Sequence, residues 1–207
     1  MDKDLSLWSK TTKKIYTGVL LYSLLGILYA IISPVISLIG GVADFANKAG
    51  AEVSVSGLDI FNYILLAGII IGYLLFFVGL TNFAQILESK DGKAVLGVRN
   101  GAILMILASI CPLIGLPDIL GAIINIVGFI LMLLGYSSLK NSATFPSNAR
   151  VGASNLFTAM ILSLIGAIIG IIPLVGGFVN AILSLIAFIL VLSGWAKIKN
   201  TATKINQ

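Results

Sequence analysis

Six apolar runs, each close to the length that crosses a lipid bilayer, constrain this 207-residue chain more than any other feature. A helix needs about 20 apolar residues to cover roughly 30 Å of hydrocarbon. Only 10% of the residues are charged, whereas soluble domains average about 25%. The sequence therefore excludes a soluble globular domain and predicts an all-α membrane protein with six transmembrane helices. The predicted spans are Ile15–Leu38, Ile60–Thr81, Ala94–Ile114, Asp118–Leu139, Ala153–Leu174 and Phe178–Lys197.

The basic residues alternate across these spans. All but one of the 13 lie in the N-terminal segment, the second-to-third connection and its first turns, the fourth-to-fifth connection or the tail, and the exception is Lys48. Because Lys and Arg near span ends resist translocation, this pattern predicts that both termini are cytoplasmic. The net charge of +5 follows from this topology and indicates no nucleic-acid partner. We expect membrane lipids as partners, since a basic face attracts anionic headgroups. The compact connections favour a bacterial or archaeal plasma membrane.

Self-similarity divides the six spans into pairs. The segment Gly135–Thr144 aligns without gaps with Gly194–Thr203, and Pro112 matches Pro173 upstream. A fainter first copy places Pro34 at the proline position. The pattern predicts three parallel-repeat helical hairpins that run in-out-in, related by an axis along the membrane normal, with turns at Pro34, Pro112 and Pro173. The predicted organisation is an N-terminal segment 1–14, hairpin 1 at 15–81 with an external loop at about 40–59, hairpin 2 at 94–139, hairpin 3 at 153–197 and a tail at 198–207.

Glycines spaced four residues apart predict places where helices approach closely. Such spacing puts small residues one turn apart on a single helix face. Packing within the chain, contact with another subunit and a substrate path are the three uses that this pattern leaves open. The glycines concerned are Gly68, Gly72, Gly97, Gly101, Gly166 and Gly170.

Few polar residues lie within the spans. Arg99 is the one ionisable candidate, and its side chain either reaches back to the headgroups or holds an anionic ligand or a partner's carboxylate. Asparagines in spans either hydrogen-bond between helices or line a polar path. The candidate ligand or partner contacts are Arg99, Asn100, Asn125, Asn155 and Asn180.

The residue inventory indicates no catalytic chemistry. The chain has no histidine and one cysteine, Cys111, which leaves no disulfide, thiolate zinc site or activated serine. We therefore expect no catalytic residues, no metal and no cofactor. The segment Lys90–Lys93 is interpreted as a tight polar turn.

Two classes of function fit these features. The first is a non-catalytic accessory, scaffold or assembly subunit of a larger membrane complex, with other membrane protein subunits or a second copy as partner. The second is a small transporter or channel for a lipid, a hydrophobic solute or an ion. Sparse polar groups favour the first class, because an ion path normally needs a polar lining.

Overall fold

The computed structural model describes residues 2–50, 56–173 and 176–204 and is all-helical over these residues. Six of its helices are long and apolar enough to cross a membrane. A short 3₁₀ helix at Cys111–Ile114 follows the third of them. The six helices are α1 at Asp2–Lys48, α2 at Ser56–Ile86, α3 at Ser89–Ile110, α4 at Asp118–Lys140, α5 at Ser147–Ile169 and α6 at Gly176–Lys204.

Helix α1 differs most from the expectation. Its 47 residues extend about 70 Å at 1.5 Å per residue, far more than the bilayer core. Pro34 lies inside the helix and does not turn the chain, so the predicted turn at this proline is wrong. Proline removes one amide donor, but apolar residues continue on both sides of it, and in lipid the backbone must keep its internal hydrogen bonds.

The ends of hairpin 1 are also more helical than expected. Residues 40–48 of the predicted external loop continue α1, and residues 56–59 belong to α2. The described part of the loop is a turn at residues 49–50, where Gly50 has a φ of 92°. Residues 51–55 of the predicted loop lie outside the described residues.

The second hairpin turns at the predicted proline. Pro112 is the second residue of the 3₁₀ helix, and Gly115 caps its end with a φ of 74°, a left-handed conformation that glycine adopts without strain. Pro117 then precedes the first residue of α4, Asp118, whose carboxylate is favoured near unsatisfied helix amides. Pro173 likewise lies in a turn after α5.

The chain divides into two compact units. One contains Met1–Tyr16 and Phe77–Gln207, and the other contains Thr17–Phe76. In the second unit Tyr22 stacks on Tyr73 with ring centroids 4.4 Å apart, and the backbone of Gly72 lies against Tyr22.

In the first unit, α3 packs along α4, α5 packs along α6, and α4 contacts α5. Glycines allow α3 to lie close to α4, and α5 to lie close to α6. Gly101 faces the carbonyl oxygen of Gly128, and Gly152 faces that of Gly194, so that a methyl group at either position would meet backbone. This arrangement agrees with the general use of small residues between membrane helices.

One end of the first unit gathers several helix termini. Trp8 on α1 donates its indole N–H to the carbonyl oxygen of Ile198 on α6, at 2.9 Å. The Trp8 ring also packs edge-on against Phe83 of α2, at 4.8 Å between centroids, and lies 5.8 Å from Phe145 in the connection between α4 and α5. We call this region the basic end. It comprises the first turns of α1, α3 and α5, the last turns of α2, α4 and α6, and the connection at residues 141–146.

Candidate functional site

The guanidinium of Arg99 is hydrogen-bonded to two side chains, one on its own helix and one on α2. Its Nε and one terminal nitrogen donate to Oδ1 of Asn100, at 3.1 and 2.9 Å, and the other terminal nitrogen donates to Oγ1 of Thr81, at 3.0 Å. Thr81 in turn donates to the carbonyl oxygen of Phe77, at 2.9 Å. Arg99 and Asn100 on α3 are thus joined to α2, and the guanidinium retains two N–H groups for another acceptor.

Asn155 and Asn180 have partners in the third hairpin. Asn155 on α5 donates its amide to the hydroxyl of Ser193 on α6, at 2.6 Å. Asn180 on α6 accepts from Ser184, at 3.4 Å, and packs against Gly166 on α5. These two asparagines therefore hydrogen-bond locally or between neighbouring helices, and the structure does not bring them together with Arg99.

Asn125 has a different environment from the other candidates. It lies eight residues into α4 and is exposed on the helix surface, beside exposed Ile123 and Ile126. Among the residues that the structure describes, its side chain has no hydrogen-bond partner. In a membrane, the amide group of Asn125 would contact lipid without a hydrogen-bond partner.

Asp91 is a buried residue that was not among the candidates predicted from the sequence. The segment Lys90–Lys93 is the first turn of α3 and not a separate polar turn, because α3 begins at Ser89. Asp91 is only 1% exposed. Its Oδ2 accepts a hydrogen bond from Thr144, at 2.7 Å, and Thr144 lies 2.9 Å from the hydroxyl of Ser142.

The other oxygen of Asp91 has no partner. Oδ1 is buried without a hydrogen bond in the described part of the chain, as is Oδ1 of Asn62 on α2. Asp91 lies near the amino end of α3, where the helix dipole and free amides favour a negative charge. The one sequence signal was an acidic residue in the first turn of a helix, which by itself does not indicate burial.

The predicted packing glycines are not equivalent. Gly72 and Gly101 each face the backbone of a neighbouring helix, whereas Gly68 and Gly166 face the side chains of Leu25 and Asn180. Gly97 has room for a methyl group, since an added Cβ would be in ordinary van der Waals contact with the carbonyl oxygen of Leu131, at 3.7 Å. Gly170 is the C-cap of α5.

The candidate residues supply hydrogen-bonding groups. No group of three His, Cys, Asp or Glu side chains that could hold a metal ion occurs in the described ranges. The predicted contacts supply amide groups, which donate and accept hydrogen bonds, and one guanidinium, which donates them. No family model, curated protein or solved structure matches this sequence.

Proposed function

We propose that this protein is a non-catalytic integral membrane protein that serves as an accessory, scaffold or assembly subunit of a larger membrane complex. In this proposal the six helices form three parallel-repeat hairpins, and both termini face the cytoplasm of a bacterial or archaeal cell. Its partners are membrane lipids and either other membrane subunits or a second copy of the chain.

The contacts at the basic end support this topology. The hydrogen bond from Trp8 to Ile198 brings the first turns of α1 next to the last turns of α6. The hydrogen bond from Thr144 to Asp91 brings the connection between α4 and α5 next to the start of α3. Nearly all the Lys and Arg residues therefore belong to one end of the first unit, which is the arrangement that the positive-inside rule requires of a cytoplasmic side.

The main observation that supports the proposed function is the environment of the Asn125 side chain. An amide group that faces hydrocarbon without a partner is unfavourable, and asparagines between membrane helices commonly bond to another helix. The described residues provide no hydrogen-bond partner for Asn125. Asn155 bonds to the neighbouring helix, and Asn100 and Asn180 bond to side chains of their own helices. A second membrane protein docked on this face of α4 would supply it.

Purification in native nanodiscs followed by mass spectrometry tests the proposal. We expect a partner subunit at unit ratio with the wild-type chain, and about threefold less of it with Asn125→Leu, because one hydrogen bond between membrane helices contributes about 0.6 kcal/mol. Ser109→Ala is the matched control. Ser109 is also an exposed polar residue in a span, but it donates to the carbonyl oxygen of Ile106 in its own helix, at 2.7 Å. A wild-type chain that purifies as a monomer, with neither another subunit nor a second copy, would refute the proposal.

A second candidate function is a small transporter or channel for lipids, hydrophobic solutes or ions. The observation that favours it is Arg99, a cation about 9 Å farther along α3 than Lys93 at 1.5 Å per residue, with two N–H groups still available to an anion. Reconstituted vesicles that contain the wild-type chain or Arg99→Gln would measure flux and lipid movement. Transport that requires Arg99 would support this function, and background rates with the wild-type chain would refute it.

A further inference from the structure

Among the described residues, a groove lies at the basic end between the two helices of each hairpin. Groove 1, between α1 and α2, has a volume of about 320 Å³. Groove 2, between α3 and α4, has about 300 Å³, and groove 3, between α5 and α6, has about 320 Å³. These volumes lie at the lower end of the range of small-molecule sites, which is about 300–1,000 Å³.

A glycine contact fixes the register of each hairpin beside its groove. On the second helix of each pair, Gly79, Gly135 or Gly194 lies so close to the first helix that a Cβ atom would meet it. The residues opposite are Ile15, Val98 and Leu156, respectively, at 2.6–2.7 Å from the added Cβ to the nearest side-chain atom of each. These contacts align the three hairpins without reference to sequence similarity. They match Ala94 with Gly152.

The lining residues occupy the same positions in this register. On the first helix, the residues that stand eight and five positions before the glycine contact line every groove. These pairs are Leu7 and Lys10, Lys90 and Lys93, and Asn148 and Val151.

The second helices show the same correspondence. The residue three positions after each glycine lines the groove in all three hairpins, and these residues are Asn82, Ser138 and Lys197. Three grooves with matched positions indicate a repeated site.

The chemistry of the lining is similar although the lysines change position. Groove 1 has Lys10 and Lys14, groove 2 has Lys90 and Lys93, and groove 3 has Lys197 on the opposite helix. Every groove thus contains at least one cation, and its described lining includes no carboxylate. Polar donors from Asn, Gln, Ser or Thr side chains complete each site.

An exposed aliphatic side chain accompanies the cations in each groove. Leu7, Leu134 and Val151 are 37%, 59% and 50% exposed, respectively. A ligand that joins a phosphate to a hydrocarbon chain satisfies both halves of this lining. A free phosphate ion would leave the aliphatic half unused, and a zwitterionic headgroup would add a cation next to the lysines.

We propose that these three grooves are equivalent binding sites for an anionic phospholipid. The phosphate lies at the lysines, the headgroup hydroxyls accept and donate hydrogen bonds at the amide and hydroxyl side chains, and an acyl chain begins along the aliphatic residue. This inference does not depend on the proposed function, because an isolated chain would bind the same lipids.

Native mass spectrometry of the detergent-solubilised protein with added phosphatidylglycerol tests the proposal. We expect up to three lipids bound more tightly than phosphatidylcholine. Lys10→Gln with Lys14→Gln, or Lys90→Gln with Lys93→Gln, should each remove one of the three, as should Lys197→Gln alone. Each lysine near an anionic lipid is worth about a fivefold change in affinity. The corresponding Lys→Arg variants keep the charge and should retain all three lipids, which separates lost binding from lost folding.

The matched control is Lys13→Gln with Lys140→Gln. It removes two charges from the basic end without touching a groove, since Lys13 is exposed on α1 and Lys140 lies 3.5 Å from the centre of the Phe157 ring. This variant should still bind three lipids. Equal binding of phosphatidylcholine would overturn the proposal, as would loss of lipid in the control or displacement of the lipid by millimolar inorganic phosphate.

Discussion

Two glycines one turn apart on α3 provide a direct test of how the second hairpin is held together. A methyl group on Gly101 would overlap the carbonyl oxygen of Gly128 and lie 2.9 Å from the amide nitrogen of Met132, both of them backbone atoms of α4. A methyl group on Gly97 would have the carbonyl oxygen of Leu131 as its nearest neighbour, at 3.7 Å. The sequence pattern predicts the same role for both glycines, but the structure assigns close packing to Gly101.

These distances determine the expected change in the free energy of unfolding for each variant. Carbon atoms pack best at about 3.5–4.0 Å, so Gly101→Ala must move α3 and α4 apart by close to 1 Å. Such overpacking typically costs about 1–3 kcal/mol. The better helix propensity of alanine offsets about 1 kcal/mol of this, which leaves a net loss of up to about 2 kcal/mol. Gly97→Ala gains the propensity without the clash and should be neutral or stabilising by up to about 1 kcal/mol.

Unfolding in mixed micelles with increasing dodecyl sulfate, followed by circular dichroism and tryptophan fluorescence, measures both variants against the wild-type chain. We expect the dodecyl sulfate concentration at the midpoint of unfolding to be lower than wild type for Gly101→Ala. For Gly97→Ala it should be unchanged or higher. Equal midpoints for the two variants would refute the reasoning, because the added methyl group is the same and only its neighbours differ.

Three further substitutions test other contacts by the same assay. Thr144→Val removes the one hydrogen bond to the buried carboxylate of Asp91 and should lower the free energy of unfolding by about 1–3 kcal/mol; an unchanged value would mean that Asp91 is not buried. Trp8→Phe keeps the aromatic packing but loses the bond to Ile198, so we expect a loss of about 1 kcal/mol and faster hydrogen exchange at the end of α6. Gly115→Ala forces a left-handed residue with a φ of 74° and should cost about 1–2 kcal/mol, whereas no loss would contradict the turn geometry.

The length of the apolar runs was sufficient to predict the six helices, because bilayer thickness alone sets how long such a run must be. The effect of Pro34 was not predictable from the same rule. A proline favours a turn where other backbone hydrogen bonds can form. After Pro112, the amides of Gly115 and Leu116 donate to the carbonyl oxygens of Pro112 and Cys111. Within a long apolar run the helix continues through it, and only the three-dimensional structure shows which case applies.

The candidate site, like the fold, could be predicted from the sequence only in part. The sequence identified Asn125 as a polar residue in a span, but its lack of a partner depends on which face of α4 meets α3 and α5. The burial of Asp91 depends on the connection at residues 141–146, which folds over the start of α3 and brings Thr144 to the carboxylate. That contact joins residues 53 positions apart, so no local pattern contains it.

The basic end has a further physical consequence. Side chains that are almost completely buried, such as Thr12, Phe83, Leu139, Phe145 and Ile198, lie at or near this end of the first unit. Inside a bilayer, lipid is as apolar as leucine, so burying aliphatic side chains there contributes little to association. In the proposed topology the basic end faces water, where the hydrophobic effect applies in full, at about 25 cal/mol per Å² of apolar surface removed from water. The hairpins of the first unit are therefore stabilised mainly where the lysines lie, and the glycine contacts within the spans set their register.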